Sequence, residues 1–141
     1  MLTDPVFTIR EETANACVAL SQTIFDRQWL AGLVDRKVEE LGDSERFMIR
    51  IQTVHFMSRM QSEIDDELLN AKFTATLFKL MEDKVPNIRF SSSKALLLIV
   101  PRMNTANKMK AKEILQKHAE TDEDFDAKFF AQKALDKLNS S

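Results

Sequence analysis

Four hydrophobe–cation pairs recur along the chain: Ile9-Arg10, Ile49-Arg50, Ile88-Arg89 and Ala127-Lys128. Their cations lie 40, 39 and 39 residues apart. A bundle of unrelated helices repeats its apolar spacing within each helix but has no reason to keep a fixed long period between helices. A repeated supersecondary unit does, because each unit cannot bury its hydrophobic face alone and must stack on the next. An aspartate stands six residues before the cation in three copies, as Asp4, Asp83 and Asp122. In the second copy it is Asp43, displaced by one residue, which accounts for the longer first interval.

The columns after the cation agree as well. Three residues on stand Thr13, Thr53, Ser92 and Ala131, all small; six on, Ala16, Phe56, Ala95 and Ala134. Seven on stand Cys17, Met57, Leu96 and Leu135; ten on, Leu20, Met60, Ile99 and Leu138. With the residue before the cation, these positions trace one face of an α-helix. Apolar periodicity between the copies supplies partner helices, such as Trp29 to Leu41 and Ile64 to Met81. Only 2 glycines occur, and abundant Leu, Met, Ala, Glu and Lys favour helix over sheet. The pattern predicts an all-α chain of seven helices, at 5–24, 28–41, 46–61, 64–82, 86–100, 105–119 and 125–138. Asp4-Pro5 reads as a helix start, Pro86 as another, and Pro101 as a stop. Helix pairs at this period define a HEAT-repeat α-solenoid, an α-α superhelix of about three and a half repeats. The whole chain, 1–141, reads as one domain. Its first helix lacks a partner and a polar cap, so the expectation is the C-terminal fragment of a longer scaffold, or self-association through the open face of helix 5–24.

Composition excludes several functions. The formal charge of -2 lacks the basic excess of a nucleic-acid footprint. One cysteine, Cys17, allows no intrachain disulfide and points to a reducing compartment. The longest apolar run, 95–100, is too short to span a bilayer, and no leader pattern opens the chain. The expected location is cytoplasmic, and nuclear as well. His55 and His118 stand alone in different helices, unlike the clustered ligands of a metal site. Cys17 lies on the core column. Asp122-Glu-Asp124-Phe-Asp126 opens like a calcium loop, but Ala127 and Lys133 stand where glycine and glutamate are needed. Lys108, Lys110, Lys112 and Lys117 read as a solvated helix face. No enzyme, metal or cofactor is expected.

Three stretches carry a resemblance: Asp4-Pro-Val-Phe-Thr-Ile-Arg-Glu11; Val85-Pro-Asn-Ile-Arg-Phe90 with Lys94 and Leu96; and Asp126-Ala-Lys-Phe-Phe-Ala-Gln-Lys-Ala-Leu135. Together they resemble the last HEAT repeats of the scaffolding A subunit of protein phosphatase 2A. The resemblance covers essentially the whole chain. The turn Asp43-Ser-Glu-Arg-Phe-Met48 departs by an extra residue, and 54–72 match weakly. The resemblance implies a non-enzymatic scaffold whose C-terminal repeats hold the phosphatase catalytic subunit. Regulatory subunits would bind through more N-terminal repeats, absent from this sequence. It further implies that contacts come from the turns inside each helix pair, here 4–8, 43–48, 83–88 and 122–126.

Spacing alone leads to the same ridge, since turns repeated at a fixed interval lie side by side. Asp4, Asp83 and Asp122 read as caps, with Arg10, Arg50, Arg89 and Lys128 as ladder partners. Phe7, Phe47, Val85 and Phe125 are apolar residues in polar turns, either tucked beneath the turn or offered to a partner. With Val6, Arg46, Pro86, Asn87 and Asp126 they make the expected partner-binding set; Arg46 and Phe47 are the best anchors by residue type. A HEAT module for a different partner, in a transport or chromosome-organising assembly, is the alternative.

Overall fold

A computed structural model describes residues 12, 15, 16, 19 and 27–141, leaving aside the side chains of 27–30 and 33–35. Among the described residues every regular element is helical. Helix α1 is Arg27–Gly42 and α2 is Phe47–Met60. Asp66–Leu68, a π-helical segment Leu69–Phe73 and Thr74–Met81 run on as one helix, α3. Then come α4, Pro86–Ile99, a 3-10 turn Val100–Arg102, α5, Thr105–Thr121, and α6, Phe125–Asn139. These are six helices, not the seven expected. The remaining expected helix, 5–24, falls outside the described residues apart from Glu12, Asn15, Ala16 and Ala19, which are helical. Asp4, Val6, Phe7, Arg10 and Cys17 lie outside them too. No described helix is long and apolar enough to cross a membrane.

Local chemistry sets the helix ends. Asp65 accepts from the Leu68 amide at 2.8 Å, Asn104 from Asn107 at 2.8 Å and Asp124 from Ala127 at 2.9 Å. Each thereby satisfies an amide that the helix itself cannot. Pro86 opens α4, where its missing N–H costs nothing, and Pro101 lies in the 3-10 turn that ends it. Gly42 closes α1 where the next layer comes close: a Cβ there would lie 2.8 Å from the Thr76 methyl.

The helices pack as three pairs, α1 with α2, α3 with α4 and α5 with α6. Within each row, α2, α4 and α6 lie side by side, as do α1, α3 and α5. The repeated stripe forms the seam of the first row. Met57, Met60, Leu96, Ile99, Ala134 and Leu138 are buried, and so are the small residues Thr53, Ser92 and Ala131, where backbones approach. The hydroxyls at that level are satisfied locally, Thr53 by the Ile49 carbonyl at 2.9 Å and Ser92 by that of Ile88 at 2.7 Å. Leu135 is only partly buried, against the edge of the core.

Candidate functional site: the stacked turns

Three turns lie inside the described pairs, at 43–46, 82–85 and 122–124, and two sets of ion pairs tie them together. In the first set the Arg50 guanidinium grips Asp83 with two bonds, Nε to Oδ2 at 2.6 Å and Nη2 to Oδ1 at 3.0 Å. Arg89 holds Asp122 in the same way, at 2.8 and 2.7 Å. The third nitrogen of each turns to its own turn: Arg50 Nη1 donates to the carbonyls of Ser44 and Glu45, and Arg89 Nη1 to those of Asp83 and Lys84. One arginine thus fixes its own turn and clamps the next. Lys128, in the same column, is exposed and donates to the Glu120 carbonyl at 3.3 Å.

Each clamped aspartate also braces its own turn. Asp83 Oδ1 accepts from the Val85 amide at 2.9 Å, and Asp122 Oδ1 from the Asp124 amide at 3.0 Å. Arg89, assisted by that amide, holds the Asp122 carboxyl at about 2 against the opposing effect of burial. For Asp83 burial is the largest influence and pushes upward, but the bonds from Arg50 and Val85 together bring the net shift below the usual range. In the first described turn Ser44, not Asp43, occupies the aspartate level. Its Oγ accepts from the Arg46 amide at 3.3 Å, and its carbonyl takes the Arg50 bond. The extra residue leaves Asp43 one step out, where it pairs with Lys79.

Sequence reasoning missed the second set. It joins the ends of α1, α3 and α5: Lys79 reaches back to Asp43, and Lys117 to Glu82 at 2.8 Å. Lys117 draws the Glu82 carboxyl below its ordinary value. Its signal was an acid–lysine interval of 36 then 35 residues, obscured because one period of 39 describes neither. Between the two sets run shallow grooves, one of about 460 Å³ over Asp43, Arg50 and Lys79, the next of about 410 Å³ over Asp83, Arg89 and His118. His118 Nδ1 lies 3.0 Å from Asp122 Oδ2, and its buried Nε2 has no partner. Among the described residues no cluster of three His, Cys, Asp or Glu side chains converges as metal ligands would.

The predicted contact residues divide. Arg46, Phe47, Asn87, Phe125 and Asp126 are exposed, with Phe47 at 50% and Phe125 at 80%. Val85 is tucked against the core, and Pro86 is half-buried. Val85 is the residue before its helix, level with Arg46 and Asp124; Phe47, Pro86 and Phe125 are the three first helical residues. Val85 is therefore one residue out of register with Phe47 and Phe125: counted from the cation it stands four residues before, they three, and Pro86 holds their level. The chain matches no known family model and no curated protein.

Proposed function

We propose that this chain is a HEAT-type solenoid scaffold that holds the catalytic subunit of a type-2A serine/threonine protein phosphatase along the ridge of stacked turns. The observation that carries the scaffold reading is the paired arginine clamp, Arg50 to Asp83 and Arg89 to Asp122. It binds each turn to the next and so pre-orders one continuous surface from which Arg46, Phe47, Asn87 and Phe125 project. A pre-ordered surface loses little freedom on association, and rigid positioning is what a scaffold contributes. Side-by-side packing of like helices supports the solenoid. The partner rests on the resemblance in 85–90 and 126–135. Regulatory subunits would then bind repeats beyond this sequence, and the work would be done in the cytoplasm and the nucleus.

The test is binding of a type-2A catalytic subunit to Arg46→Glu, Phe47→Ser and Asn87→Lys, with Lys112→Glu as control and circular dichroism to check folding. Val85→Asp is unsuitable because Val85 packs on the core. Each ridge variant is expected to weaken binding at least about fivefold, as truncated interface anchors do, with the control unchanged. Loss in the control alone overturns the ridge. Failure of the unsubstituted chain to bind overturns the partner, and a HEAT module serving a different assembly then takes its place.

A further inference from the structure

The three turns are not equivalent in charge. Once the clamped pairs are set aside, the first retains Glu45 and Arg46, which balance. The second retains Lys84, and the third Glu123, joined by Asp126 in the first turn of α6; both acids are exposed and without an ion pair among the described residues. Asp122 is engaged by Arg89 and His118, and Asp124 caps α6. The nearest cation in α6, Lys128, turns to the Glu120 carbonyl. Phe125 stands in this acidic collar, 80% exposed at the first position of its helix.

The fold asks for no aromatic there. A phenylalanine stabilises a fold through the area it buries, and a side chain this exposed contributes little in that way. Pro86 fills the same level in α4, so a small residue suffices to start the helix. One turn along α6, Phe129 is 52% exposed. It rests edge-on against Phe130 at 5.2 Å, and Phe130 stacks on Phe90 of α4 at 5.8 Å, with the Lys94 ammonium 5.0 Å from its ring. Phe125 and Phe129 therefore present a two-ring apolar strip on a braced platform, with carboxylates at one end.

We propose that Phe125 and Phe129 form a docking site for a partner segment that presents an apolar side chain set among lysines or arginines. This rests on the ridge reading above and adds the partner's chemistry, independent of which protein carries it. An apolar group covers the rings, and its basic neighbours meet Glu123 and Asp126 at the rim, where complementary charge sets orientation and excludes acidic competitors. Because the middle turn carries Lys84 and the first turn is balanced, an elongated partner is oriented along the ridge with its basic end at α6.

Two short peptides with one apolar core, Leu-X-X-Phe, test this against the full chain by titration calorimetry. One is flanked by lysines and the other by glutamates. The lysine-flanked peptide is expected to bind at least about tenfold tighter, and Phe125→Ser to reduce its affinity about tenfold, the scale of an interface anchor. The double variant Glu123→Lys with Asp126→Asn should invert the preference between the peptides. Equal binding of the two peptides, no binding of either, or indifference to Phe125→Ser overturns the site. If the peptides behave as expected while the phosphatase catalytic subunit does not bind, the site stands and the partner assigned above falls.

Discussion

At Asp122 one carboxylate serves four donors or near neighbours: two nitrogens of Arg89, the Asp124 amide and the His118 ring. Its side chain is 2% exposed, so the Arg89 pair is screened little by water. With its folded value held at about 2, below the unfolded 3.8, this group stabilises the fold fully above pH ~4. That contribution is lost as pH falls from ~4 through ~2, and is of order 2 kcal/mol. Asp83 and Glu82, also lowered, act with the same sign. Urea melts across this range should show declining stability, with a shallower decline in Asp122→Asn. The same substitution should cost about 2–3 kcal/mol at neutral pH, since it leaves a half-buried guanidinium short of its counter-charge. Unchanged slopes would show that other carboxylates govern the acid limb.

Among the elements, α4 is flanked by α2 and α6 and bears on α3, whereas α6 is the last described helix of its row. Leu96, at 0% exposure, should therefore cost roughly 2–5 kcal/mol on truncation to alanine, and the partly buried Leu135 distinctly less. Equal losses in denaturant melts would contradict this ordering. The π segment in α3 yields a second test. There the Thr74 backbone amide bonds to the Leu69 carbonyl, five residues back, and the Asn70 carbonyl instead takes the side-chain Nδ2 of Asn107 in α5 at 2.7 Å and the Thr74 hydroxyl at 2.9 Å. Asn107→Ala removes that cross-layer donor along with its bonds to the Asn70 and Thr74 side chains. It should cost about 1–3 kcal/mol, and amide exchange in Leu69–Phe73 should quicken. Unaltered exchange would mean that α3 holds the bulge by itself.

For the molecule as a whole, clamps and row contacts join each pair to its neighbour. If the pairs stack as proposed, the chain is elongated. A compact domain of 141 residues would have a radius of gyration of about 14 Å. Small-angle scattering from the monomer should give a clearly larger value; one at that figure would favour a closed bundle over the solenoid.

The sequence by itself determined the period, the helix identities and the buried face. Those depend on side-chain spacing along one helix, which the chain carries locally, and every described helix begins and ends within two residues of its expected place. It also carried the arginine and aspartate columns. It did not reveal that each Arg reaches forward to the acid of the following pair, 33 residues on, because that choice depends on how two pairs lie together. The same holds for Ser44 taking the aspartate level, for the lysine pairs at the ends of α1, α3 and α5 and for the π segment completed by Asn107. The exposure of Phe47 and Phe125 against the partial burial of Val85 was likewise left open by the sequence. An apolar residue at a turn carries no mark of which way it faces; only the packing of neighbouring helices decides whether room exists for it beneath.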